Sequence, residues 1–159
     1  MRRTQIVVLL TLAAAVPGAT AASYFGFSGK PAAKPCFVAG NAGYQLSAAA
    51  NARHIVRIDN DAALPHLRMQ LVDDPAAAEF VLVDDNDASL ACTGVSTVES
   101  IRIDPAAAKP DFVVAVSRAP ADYKIYLHSK NYNEQDAAAL AAVIRQTAGK
   151  TGSLRTVAR

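Results

Sequence analysis

The chain of 159 residues carries 16 Lys and Arg against 14 Asp and Glu, a formal net charge of +2, and its length suits one domain with a self-sufficient core. At 52% hydrophobic and 19% charged it is not a wholly disordered chain, and 34 alanines, rather than several membrane spans, account for the apolar share. Aromatics at 6%, with no Trp, argue against a carbohydrate or single-strand nucleic-acid platform, which needs stacking rings.

Residues 1–21 read as an export segment. Arg2 and Arg3 form a positive n-region, Ile6 to Val16 is apolar apart from Thr11, and Pro17-Gly18 breaks the run. Small residues then place a signal-peptidase site at Ala21 and Ala22. The alternative is an uncleaved membrane anchor over residues 6–22, reaching to about residue 27 with Tyr24, Phe25 and Phe27 at the interface. Residues 22–35 follow as a linker, rich in Gly, Pro and Lys. The single globular domain is assigned to residues 36–149.

Within the domain, Asn41 to Arg53 is a weak helix candidate. Six short strands are expected at His54–Asp59, Leu67–Val72, Phe80–Val83, Val98–Ile103, Phe112–Val116 and Tyr123–Leu127. Leu67–Val72 and Tyr123–Leu127 alternate, which suggests one solvated face. Phe80–Val83 and Phe112–Val116 are continuously apolar and read as central. Two stretches repeat: Leu71-Val-Asp-Asp-Pro-Ala-Ala-Ala before Phe80, and Ile101-Arg-Ile-Asp-Pro-Ala-Ala-Ala before Phe112. The connection is too short for a full parallel crossover, so each repeat reads as a bent antiparallel pair. Asn133 to Ala148 reads as a helix capped by Asn133, with Glu134 and Asp136 at its positive end and Gly149 as its stop. Residues 150–159 read as a flexible basic tail. The expected fold is thus α+β: a small mixed or mainly antiparallel sheet of about five to six short strands, with a C-terminal amphipathic helix packed on one face.

The charge divides with these parts. Between Cys36 and Gly149 there are 9 basic and 14 acidic residues, so the domain is acidic, at −5, and the surplus bases lie at its ends. An acidic domain repels phosphate, which excludes nucleic acid as the expected partner.

Export to an oxidising compartment predicts a Cys36–Cys92 disulfide. Asp59, Asp61, Asp84, Asp85 and Asp87 are weak candidates for a divalent-cation site; the simpler reading makes Asp and Asn turn caps after strands. The loop from Asp85 is no EF-hand, because Leu90 and Ser96 replace its required Gly and Glu. No contiguous catalytic motif and no cofactor fingerprint occurs, so no catalytic residue and no cofactor is expected. Lys124, Tyr126 and Tyr132 are the candidate binding surface.

The expected function is a non-enzymatic protein- or ligand-binding module of the bacterial envelope. It would be periplasmic after cleavage or anchored in the inner membrane by residues 6–22. Its expected partners are an envelope protein and, if the segment is uncleaved, the membrane. Two alternatives stand beside it. One is a small periplasmic hydrolase with a noncontiguous site near His128, and the other is a module responding to divalent cations through its Asp-rich loops.

Overall fold

The computed structural model describes residues 34–84, 92–121, 123–147 and 154–157. The export segment therefore lies outside the described residues. The described elements are β1 (Phe37–Ala39), β2 (Ala42–Leu46), β3 (His54–Ile58), β4 (Leu67–Leu71), β5 (Phe80–Asp84), β6 (Thr97–Ile103), β7 (Phe112–Ser117), β8 (Tyr123–Ser129), α1 (Glu134–Thr147) and β9 (Leu154–Val157). A single 3-10 turn occupies Pro75–Ala77.

All nine strands form one sheet in the order β1-β2-β6-β3-β7-β4-β8-β5-β9. Only the β1–β2 pair is antiparallel; the other seven pairings are parallel. This overturns the expected small mixed or mainly antiparallel sheet of about five to six short strands: the sheet is mixed, but larger and almost wholly parallel. The six expected strands are present, but β1, β2 and β9 join them. Residues 42–46 form a strand where a helix was the candidate, and the tail contributes β9. The Gly40-Asn41 turn joins β1 to β2, and Gly40 has φ 61, a conformation that glycine adopts without strain.

The strand order interleaves two runs of chain. β2, β3, β4 and β5 leave gaps that β6, β7 and β8 fill, so each connection steps over one foreign strand. The register shows how short connections achieve this. Leu46, the last residue of β2, and His54, the first of β3, both pair with Ile101. Ile58 and Leu67 both pair with Val114, Leu71 and Phe80 both with Ile125, and Ile103 and Phe112 both with Val56. The chain leaves one strand and enters the next at the same level, having moved only sideways. Two strand spacings amount to about 10 Å, well within reach of seven residues. The sheet is consequently strongly staggered, and it curls into a half-barrel.

The same bonds fasten three of these steps. On leaving, the N–H groups of Asp59, Val72 and Asp104 donate to the carbonyls of Val114, Ile125 and Val56. On re-entry, those of His66, Glu79 and Asp111 donate to the carbonyls of Val113, Lys124 and Ile55. The side chains of these three residues then accept the N–H of the same strand residue: Val113 to His66 Nδ1 at 2.9 Å, Lys124 to Glu79 Oε2, and Ile55 to Asp111 Oδ2 at 2.7 Å. Each step is thus clamped by a reciprocal pair of bonds. At their starts, Asp59, Asp74 and Asp104 accept the N–H of Asp61, Ala76 and Ala106 at 3.2, 2.8 and 2.9 Å, the bond of an Asx turn. The repeated Asp-Pro-Ala-Ala-Ala stretches are two of these steps. Their flanking strands are parallel and separated by a third, which corrects the antiparallel reading.

One face of the sheet supplies the core, with Val56, Leu82, Ile101, Val114 and Ile125 fully buried. α1 packs on that face, against β3, β4, β6, β7 and β8. Every residue from Ala137 to Ile144 is at most 1% exposed, so this middle stretch of the helix is buried all round rather than on one face. Five of those eight residues are alanine, which keeps the helix slim enough for the curled sheet. Asn133 and Asp136 cap it reciprocally, each side chain accepting the other's N–H at 2.9 Å. The connections run over the opposite face: Arg57, which points away from the core on β3, donates to the carbonyl of Ala107 at 3.2 Å.

Replacing Asp111 by Ala removes one clamp and is expected to cost about 1–2 kcal/mol. Lys109→Ala, at an exposed position of the same connection, should stay within about 0.5 kcal/mol. Chemical denaturation of both variants checks this, and equal effects would contradict the clamp.

Candidate functional site

The disulfide corner is the most fully determined feature. Cys36, just before β1, and Cys92, in the connection to β6, are joined across 56 residues of sequence with Cα atoms 5.2 Å apart. Closing such a loop stabilises by about 4 kcal/mol in the chain-entropy account. The two sulfurs lie against Gly43 on the outward face of β2. A Cβ there would stand 2.7 Å from Cys92 Sγ and 3.0 Å from Cys36 Sγ, so only glycine fits. Gly43 pairs with Val38 on one side and Val98 on the other, and these valines are 38% and 51% exposed. Val38, the cystine and Val98 therefore form a small apolar corner open to solvent.

A second fixture holds the same end of the domain. Lys34 Nζ lies 3.0 Å from Asp136 Oδ2 and donates to the carbonyl of Asn131 at 2.6 Å. The Tyr132 hydroxyl donates to the carbonyl of Pro35. Lys34 and Pro35, assigned to the linker from sequence, are thus packed into the fold. Tyr132 is 5% exposed and belongs to the core, not to the expected binding surface. Lys124 and Tyr126 do lie on the outward face of β8, both half-buried, with Lys124 N–H held by Glu79.

A polar cluster that the sequence reading did not single out sits on the inward face. Glu99 of β6 is 9% exposed, and its Oε2 lies 2.7 Å from Arg53 Nε and 3.2 Å from His54 Nε2. Its register partner Tyr44 bonds Thr147 Oγ1 at 2.7 Å. Thr147 Oγ1 in turn donates to the carbonyls of Val143 and Ile144, each at 3.1 Å, so the phenol supplies the proton of the Tyr44–Thr147 bond. The sequence does carry a signal for this cluster, since Glu99 shares strand parity with Ile101 and Ile103. Chemically the carboxylate fixes the His54 ring in one orientation while Arg53 offsets the buried charge. That is the positioning half of general-base geometry. The other half, a hydroxyl or thiol bonded to the imidazole, is not found at His54 among the described residues.

The remaining candidates are dispersed. Asp59 caps its turn and faces Arg57 at 3.7 Å. Asp61 donates its own N–H to Asp59 and is exposed. Asp85 and Asp87 lie outside the described residues, as do Ala21 and Ala22. Asp84 ends β5, four strands away in sheet order from β3, where the Asp59 connection begins. Among the described residues no group of three or more His, Cys, Asp or Glu side chains could hold a metal ion. His128 is exposed near the end of β8, and the neighbouring Ser129 Oγ accepts the N–H groups of Asn131 and Tyr132 at 3.0 and 2.9 Å. Among the described residues no helix is long and apolar enough to cross a membrane.

Tyr123 is the buried titratable group with a clear displacement. Burial holds its hydroxyl above the ordinary value of 10.0, and the Arg145 guanidinium, 4.5 Å from the ring centroid, opposes the shift. In the unfolded chain the phenol ionises first, so the stability it contributes is complete below about pH 10 and is lost as pH rises beyond it. Tyr123→Phe should flatten the alkaline limb of a stability–pH profile measured by urea denaturation, and an unchanged limb would contradict this. Gly43→Ala should lower stability by about 1–3 kcal/mol through the clash with the cystine. Thermal melting should show this loss in the oxidised protein and a smaller one after reduction.

The chain matches no family model, and no curated protein matches it in sequence.

Proposed function

We propose that the protein is an exported, non-enzymatic binding module of the bacterial envelope, released into the periplasm or tethered there by its N-terminal segment. The observation that carries this reading is the Cys36–Cys92 disulfide, which uses both cysteines of the chain and is packed tightly enough to require Gly43. Such a bond persists in an oxidising compartment and is rare in the cytosol. The order of positive n-region, apolar run and small residues before it supplies the route.

The polar groups support the non-enzymatic half. Asp59, Asp74 and Asp104 hold turns, His66, Glu79 and Asp111 clamp steps, and Asp136 caps the helix. The acidic charge of the domain is thereby read as folding chemistry. The apolar corner of Val38, the cystine and Val98 is the surface offered to a protein partner.

Expression of the full chain in a bacterial host, followed by fractionation, N-terminal sequencing and thiol titration, tests the reading. The expected result is an envelope-fraction protein without free thiols, beginning near Ala22 or retained in the membrane with Met1. A soluble cytoplasmic protein with two free thiols would overturn it. A hydrolase screen with His128→Ala as control is expected to show no His128-dependent activity.

A further inference from the structure

Three steps of the sheet are closed by the same reciprocal bond but not by the same chemistry. Asp111 and Glu79 accept the N–H groups of Ile55 and Lys124 through carboxylate oxygens, whereas His66 accepts the N–H of Val113 through Nδ1 at 2.9 Å. An accepting ring nitrogen carries no proton, so this clamp exists only while the imidazole is neutral with its hydrogen on Nε2. Turning the ring over does not preserve it, because a carbon would then face the N–H. Imidazole is the side chain that changes charge between about pH 5 and 8, and His66 is exposed, so solvent protons reach it. Once protonated, Nδ1 is a donor set against a second donor, the Val113 N–H.

The charged groups around this clamp are Asp59 and Asp61 on the connection, Arg68 on β4, Asp111 just before β7, and Arg57 on β3, which pairs with Val113 from its other side. Asp59 holds its turn and faces Arg57, Asp111 holds Ile55, and Arg68 donates to the carbonyls of Ala62 and Ala63 at 3.4 and 3.2 Å. Carboxylates and guanidiniums keep their charge over that range, so among these groups the imidazole alone changes state.

The connection over residues 59–66 passes across β7. Its start is tied there by bonds that do not titrate: Asp59 N–H donates to the carbonyl of Val114, and Asn60 Oδ1 accepts the N–H of Val116 at 2.8 Å. Its end is tied by His66. The outward side chains of β7 beneath it, Val113 and Ala115, are 8% and 7% exposed.

We propose that the 59–66 connection is an acid-operated flap, in which proton uptake on His66 Nδ1 breaks the bond to Val113, frees the end of the connection and uncovers Val113 and Ala115. The closed form excludes the proton, so falling pH favours the open form and rising pH restores the closed one. The carboxylate clamps of the neighbouring steps stay shut meanwhile. The flap stands independently of the proposed location and of the apolar corner.

Hydrogen exchange of the Val113 amide, followed by NMR on the full chain and corrected for the intrinsic rate at each pH, tests this. Between about pH 7.5 and pH 5 its protection is expected to fall by about tenfold in the wild type. His66→Asn places an amide oxygen where Nδ1 stands and does not titrate, so its Val113 protection should hold constant. The Ile55 and Lys124 amides should hold constant in both proteins. Val113 protection that is unchanged or rises in acid would overturn the flap, as would an equal fall in His66→Asn or a parallel fall at Ile55 and Lys124. If the variant does not fold, NMR of the His66 ring nitrogens in the wild type decides. A bare Nδ1 at neutral pH, whose protonation tracks the loss of Val113 protection, supports the flap. An Nδ1 that carries hydrogen at neutral pH, or gains it without that loss, refutes it.

Discussion

The fold depends on one constraint: a chain leaving a strand must enter the next at the level where it left. Four fully buried residues, Ile101, Val114, Ile125 and Val56, enforce this, each pairing with the end of one strand and the start of the next. Parallel strands ordinarily require a long crossover because the chain must travel back along their length. Here the stagger of the sheet performs that return. A step of seven or eight residues suffices from β2 through β5 and from β6 to β7, with parallel strands joined without a crossover helix; the connection from β8 to β9 is the one that carries α1. Stagger, curl and interleaving are three consequences of the same register.

The composition follows from this geometry. The steps are rich in alanine, with Ala62 and Ala63, Ala76 to Ala78 and Ala106 to Ala108, and five of these eight are exposed. The helix occupies the concave side of a half-barrel, and in its stretch buried all round, Ala137–Ile144, five of eight residues are alanine. These steps and the buried part of the helix hold 13 of the 34 alanines. The acids have a matching explanation. Each step needs a group to turn the chain and another to fix its far end, and short carboxylates serve both ends. His66 performs the same task as Glu79 and Asp111, which shows that the demand is for a side-chain acceptor and not for charge.

This division explains what could be read from the residues alone. The six strands over 54–129 and the helix over 134–147 were legible because β-branched runs and a capped helical period are local signals. The direction of the strands was not. The Asp-Pro-Ala-Ala-Ala repeat marks a short connection, and shortness implies antiparallel pairing only where strands lie level with one another. Stagger is a property of the whole sheet, and no local window contains it. β1 and β2 escaped because three and five residues with alanine and glycine carry little strand signal, although Gly40-Asn41 is a recognisable hairpin dipeptide. The disulfide was legible from cysteine count and export. The Glu99 cluster was half-legible, as an acid in phase with Ile101 and Ile103; its partners Arg53 and His54 come from another strand and its entry. Tyr132 illustrates the opposite error, since a tyrosine in a polar loop can still be the residue that buries the loop.

The charge of the domain takes a different meaning once these roles are assigned. A surplus of acids clustered after strands invites a metal, because carboxylates at one sheet edge converge on oxygen-ligand geometry. In this sheet the strand ends do not share an edge. From β6 to β5 each successive strand is displaced along the strand axis, so Asp59, Asp74 and Asp104 are carried to separate levels, each beside the turn it holds. Stagger disperses what sequence order gathers.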